Sequence, residues 1–146
     1  MIVNERAVSI AAPADTVWRL FATEEGQREL TRGFVSAITF QGQGIGSVRT
    51  MRTQGHIAAG QLVERLSKFD PQRYELEYEI TDTGGVVPFA DYHGWVKLTP
   101  AGPRACVLAL RSSFIAVDVT EADALAISKA NFDLVFDNVK RLVGAP

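Results

Sequence analysis

Between residues 33 and 117 the chain passes through six strand-like segments joined by turns and loops, and that succession is what most constrains its fold. The cleanest is 73 to 80, where Tyr74, Leu76, Tyr78 and Ile80 alternate with Arg73, Glu75, Glu77 and Glu79. Alternation of this kind marks a half-buried antiparallel strand. The others read as residues 33 to 40, 47 to 53, 60 to 67, 89 to 98 and 104 to 117. Consecutive strands on short turns predict an antiparallel meander. One face of that sheet is apolar and needs a cover.

The flanks supply it. Residues 2 to 10 read as a further strand with Val8 and Ile10 toward the core, and "AAPADTVWRLF" predicts a helix with Pro13 at its first position. Val17, Leu20 and Phe21 follow at helical spacing with Trp18 beside them, and "EEGQREL" makes a short second helix. Near the end, Thr120 with Asp123 resembles a capping box. Behind it Leu125, Ser128, Phe132, Val135, Phe136, Val139 and Leu142 form one apolar stripe. About 24 helical residues would span roughly 36 Å, long enough to lie across the sheet. The expected class is α+β: a curved antiparallel sheet of about seven strands around a long C-terminal helix, in a single domain of residues 1 to 146. A curved sheet on one helix need not fill its interior, so a cavity is expected.

Composition narrows the partners. With 47% apolar and 22% charged residues and a net charge of −2, nothing favours a nucleic acid or an anionic membrane surface. No run of 18 apolar residues occurs, so no membrane span is expected. The first ten residues lack a basic segment followed by an apolar run, and the one cysteine, Cys106, has no partner for a disulfide. Both point to the cytoplasm. "QGQGIG" has the wrong spacing for a phosphate loop, and a strand follows where a helix should begin; it reads as a hairpin loop. Two histidines and one strand cysteine do not form a zinc site, so neither a metal nor another cofactor is expected. The chain is expected to be a monomer or homodimer.

One residue breaks the apolar face. Glu64 shares strand parity with Leu62 and Leu66. An ionised carboxylate among leucines costs several kcal/mol unless it is paired or hydrated. Arg49, which shares parity with Met51 and Thr53, is a reasonable partner if that face also turns inward. Tyr78 and Tyr92 would add hydroxyls beside it. By the same parity His93 faces outward with Asp91, Trp95 and Lys97, while Cys106 is inward as a small buried hydrophobe.

The stretches "IAAPADTVWRLF", "GIGSVRTMR", "VERLSKFDPQRYELEYEI" and "VVPFADYHGWVKL", with the terminal helix, together resemble the START and birch-pollen-allergen (SRPBCC, helix-grip) superfamily. The pattern is most similar to bacterial polyketide cyclase/dehydrase-like proteins and more distantly to plant abscisic-acid receptors. The resemblance implies a ligand pocket between sheet and long helix, its mouth closed by the loops "GHIAAGQ", which holds His56, and "TGGVVPF". Implied ligand-binding positions are Arg49, Met51, Glu64, Tyr78, Pro88, Phe89, Tyr92, Ser112, Ser128, Phe132 and Val135. The strand position where the hormone receptors hold a carboxylate-binding lysine reads Ser36 here, which argues against that hormone. No lysine falls on a cavity face, since Lys97 points outward and Lys129 and Lys140 lie off the helix stripe; a Schiff-base mechanism is not expected.

Two functions fit this pattern. One is binding of a small hydrophobic molecule (aromatic, polyketide, isoprenoid or lipid-like) with a polar end near Arg49 and Glu64. The other is polyketide cyclisation or dehydration, with Glu64 as acid/base and Tyr78 and Tyr92 as hydrogen-bond donors. A guanidinium bonded to Glu64 would weaken it as a base and favour the first.

Overall fold

The computed structural model describes residues 1–54 and 58–143. Its elements run β1 (Ile2–Ile10), α1 (Ala14–Ala22), α2 (Glu24–Leu30), β2 (Val35–Gln41), β3 (Val48–Thr53), β4 (Gly60–Asp70), β5 (Glu75–Asp82), β6 (Phe89–Pro100), β7 (Cys106–Ala116) and α3 (Glu121–Val143). The seven strands form one antiparallel sheet in the order β1-β7-β6-β5-β4-β3-β2. Strands β2 to β7 are a meander, and β1 returns beside β7. The first and second strands therefore lie on opposite edges, and α1 and α2 bridge them. This is the helix-grip arrangement expected from the alternation and the single long stripe.

Helix α3 has 23 residues and meets β1, β7, α1 and α2. Thr120 caps it, its Oγ1 accepting from the Asp123 amide at 3.1 Å. Ser128, Phe132, Phe136 and Val139 of the stripe are buried, while Leu125, Val135 and Leu142 are half-buried. Asn138 is also buried, outside the predicted stripe, because its Nδ2 donates to the Leu30 carbonyl at 2.9 Å and ties α3 to the end of α2.

Local chemistry moves several boundaries. Pro13 is the N-cap of α1 and not its first residue; its carbonyl accepts from the Thr16 and Val17 amides. The β4–β5 turn falls at residues 71 to 74, after β4 has run on through Asp70. Tyr74 is thereby taken out of the strand: its φ is +52°, its hydroxyl donates to Asp15 at 2.5 Å, and its ring meets Trp18 edge-on. A register shift between Leu66 and Lys68 accompanies the change. A second shift between Ala90 and His93 lets Phe89 and Tyr92 both face inward although three positions apart. His93 is exposed, as its parity requires.

The apolar interior forms three clusters. The largest joins Trp18, Phe21, Leu98, Leu108, Phe132 and Phe136. A second holds Ile2, Phe89, Tyr92 and Phe114, and a third Met51, Leu62 and Val86. Where the three meet, packing is incomplete and a cavity remains.

Candidate functional site

Glu64 and Arg49 are directly opposite each other on β4 and β3. Directly paired strand residues have Cβ atoms roughly 5 Å apart, so two long side chains of one face must meet. Arg49 Nε donates to Glu64 Oε1 at 2.6 Å, and Nη2 closes on the same oxygen. Glu64 is only 6% exposed, so the counter-charge is what allows a carboxylate here. The remaining nitrogen, Nη1, donates to Gln27 Oε1, and Gln27 Nε2 donates to the Phe21 carbonyl at 2.6 Å. The guanidinium carbon lies 5.2 Å from the centre of the Tyr78 ring.

The second carboxylate oxygen behaves differently. Among the described residues no donor reaches Glu64 Oε2. Yet no side-chain oxygen sealed inside the described protein lacks a partner. Glu64 is one of the residues that line the cavity.

The cavity has a volume of about 160 Å³. Arg49, Glu64, Tyr78 and Tyr92 form its polar side, and Met51, Leu62, Val86, Leu110, Phe132 and Val135 are among its apolar walls. Burial pushes the Tyr92 hydroxyl up to about 12, and the Glu64 charge adds to this, against the opposing pull of the Tyr78 and Ser112 hydroxyls and the Arg49 charge. Burial also raises Tyr78 well above the usual tyrosine range, with Tyr92 and Glu64 contributing. Both rings are thus neutral O–H groups at ordinary pH.

The structure brings seven of the eleven anticipated positions to the cavity wall: Arg49, Met51, Glu64, Tyr78, Tyr92, Phe132 and Val135. The other four lie elsewhere. Ser128 accepts from Asn4 Nδ2 at 3.0 Å and bonds Ser112 at 3.1 Å, so these serines are sealed in a polar chain linking β1, β7 and α3. Phe89 is packed between Phe114 and Tyr92, with ring centres at 4.3 and 5.4 Å. Pro88 sits in the preceding turn, its carbonyl accepting from Val117; Val86 and Val87 reach the cavity in its place. His56 lies outside the described residues. Ser36 is exposed and donates to the Arg52 carbonyl. Cys106 is fully buried, which raises its thiol and leaves it a hydrophobe. Gln27 went unnoticed in the sequence, because nothing in a short helix announces which strand it will meet. Among the described residues no lysine lines the cavity, no set of His, Cys, Asp and Glu could hold a metal ion, and no helix is long and apolar enough to cross a membrane.

A curved sheet gripping a long helix around a mostly apolar cavity defines the helix-grip class of folds. Within it, the family profile described as polyketide cyclase / dehydrase and lipid transport matches residues 1–144, and the chain belongs to that family. No curated protein matches it by sequence. Among solved structures, an uncharacterised protein from Bacillus thuringiensis superposes with a TM-score of 0.79 at 14% identity, over 97% of this chain and 98% of that one. The protein XoxI from Bacillus cereus gives 0.79 at 14%, over 98% and 96%. Norcoclaurine synthase from Thalictrum flavum, in complex with dopamine and hydroxybenzaldehyde, gives 0.73 at 16%, over 97% and 86%. At such identities the likeness establishes a common fold.

Proposed function

We propose that the chain binds a small hydrophobic molecule, aromatic, polyketide, isoprenoid or lipid-like, between the sheet and α3. The observation that carries this reading is Glu64, a carboxylate held through Oε1 by Arg49 in the wall of a mostly apolar cavity. A ligand hydroxyl or amine would donate to it, and its apolar body would lie against Met51, Phe132 and Val135. The size is consistent, since an apolar cavity of about 150 Å³ takes up benzene. That a protein of the same fold was crystallised with dopamine and hydroxybenzaldehyde supports a ring-sized occupant by analogy. We take the protein to act in the cytoplasm, as a monomer or homodimer, without nucleic acid. Native mass spectrometry of protein purified from its own host tests the reading: a bound molecule is expected. A chain that stays empty there and against a broad hydrophobic library would sink it.

A second reading is cyclisation or dehydration of a polyketide, with Glu64 as acid/base and Tyr78 and Tyr92 as donors to an enolate oxygen. The cavity-lining carboxylate and the family description favour it. The Arg49 bonds work against it by occupying Oε1. Glu64→Gln should abolish turnover of a poly-β-keto thioester; turnover retained in that variant removes Glu64 as the base.

A further inference from the structure

A second cavity of about 350 Å³ lies beside the first. It opens between the end of α1, the start of α2 and the glycine-rich β2–β3 hairpin, with Phe40, Leu66 and Phe69 among its walls. Phe21, Gln27, Arg49, Leu76 and Tyr78 line both cavities and so form the wall between them. In that wall the polar bar is the Arg49 Nη1 bond to Gln27.

We propose that this second cavity is a chamber for the linear alkyl tail of a ligand whose polar head donates to Glu64, and that Gln27, held by Arg49, is the partition the tail displaces. The proposal rests on the ligand reading of the first cavity and adds a substrate class to it. Three features carry it. The first cavity alone is ring-sized, well below the roughly 300 Å³ at which ligand pockets usually begin. The second is larger, and Phe40, Leu66, Phe69 and Leu76 give it an apolar side beside the polar Glu24, Gln43 and Ser47. The bonding of Arg49 also divides its labour: Nε and Nη2 hold Glu64, and only Nη1 holds Gln27. Swinging Gln27 aside breaks its bonds to Arg49 Nη1 and to the Phe21 carbonyl but leaves the buried ion pair whole. Gly42 and Gly44, with φ of +81° and +66°, turn the hairpin that borders the chamber.

Calorimetric titration with para-alkylphenols, from methyl to octyl, tests this. If the tail enters the second chamber, Kd falls with chain length by about fourfold per added CH₂, equivalent to about 0.8 kcal/mol each, well past the length that fills the first cavity. Ser47 shares the inward parity of Arg49 and lines only the second chamber. Ser47→Trp should leave para-methylphenol binding unchanged and weaken para-octylphenol by on the order of tenfold or more. Affinity that stops rising at short chains, or octylphenol binding that Ser47→Trp does not touch, overturns the chamber while the ring site stands. If no phenol of any length binds, the ring site and the chamber fall together. Should Ser47→Trp lose the short phenol as well, its fold is disturbed, and Ala22→Phe on the opposite wall decides by the same comparison.

Discussion

Gly94 on β6 pairs with Tyr78 on β5, and the Tyr78 ring occupies the place a side chain at 94 would take. A Cβ built on Gly94 would overlap ring carbons of Tyr78 and lie 2.6 Å from its hydroxyl. The glycine thus makes room for an aromatic ring lying on the sheet. Gly94→Ala must push that ring into the cavity or off the sheet. A loss of about 1–3 kcal/mol is expected from urea denaturation, with weakened ligand binding. Unchanged stability and binding would mean the ring has another low-energy position.

The Arg49–Glu64 pair makes an asymmetric prediction. Arg49→Met leaves a buried carboxylate without its counter-charge. Removing one partner of a fully buried pair costs about 3–5 kcal/mol. Here the Arg49 side chain is 22% exposed and Glu64 lines a cavity, so a smaller loss of about 1–3 kcal/mol is expected. The double variant Arg49→Met with Glu64→Leu should recover much of it. Urea midpoints of the four proteins close the cycle; strictly additive losses would show that the two side chains do not couple.

The tyrosines set an alkaline limit. Tyr92 ionises near pH 12 in the folded protein, against about 10 in an unfolded chain. The folded state then holds a proton that the unfolded state has released, so stability falls as pH rises. The contribution is complete below about pH 10 and disappears as pH climbs to 12, a loss of about 2–3 kcal/mol. Tyr78 extends the loss to higher pH. Tyrosinate absorbance of the wild type and of Tyr92→Phe checks this; a normal titration of Tyr92 would show that the site is wetter than its burial implies.

The chain Asn4–Ser128–Ser112 separates stability from binding. Ser128→Ala removes the acceptor of Asn4 and strands a buried amide, which costs about 1–3 kcal/mol. None of the three residues lines either cavity. Thermal melts should therefore shift down while ligand affinity in the folded protein stays the same. A parallel fall in affinity would tie this chain to the site.

Strand alternation, the terminal stripe and the parity of Glu64, Arg49, Tyr78 and Tyr92 were all readable from the sequence, because they depend on the period of two along a strand and on repeating helical spacing. Parity and the family resemblance made Arg49 a reasonable partner for Glu64 and left open whether the two bond; the register of β3 on β4 decided it. Parity alone could not say which inward groups reach empty space. Ser112 and Ser128 face inward but are bonded to each other and to Asn4 away from the cavity, and Phe89 is turned into the core by an irregularity at Ala90–His93 that no alternation announces. Tyr74 obeyed the pattern and left the strand, because Asp15 of a distant helix takes its hydroxyl. Gln27, brought to Arg49 by the packing of α2 against the sheet, divides the interior in two. Periodicity along the chain determined which face each residue shows; contacts between residues far apart in sequence decided which of those faces close up and which stay open to a ligand.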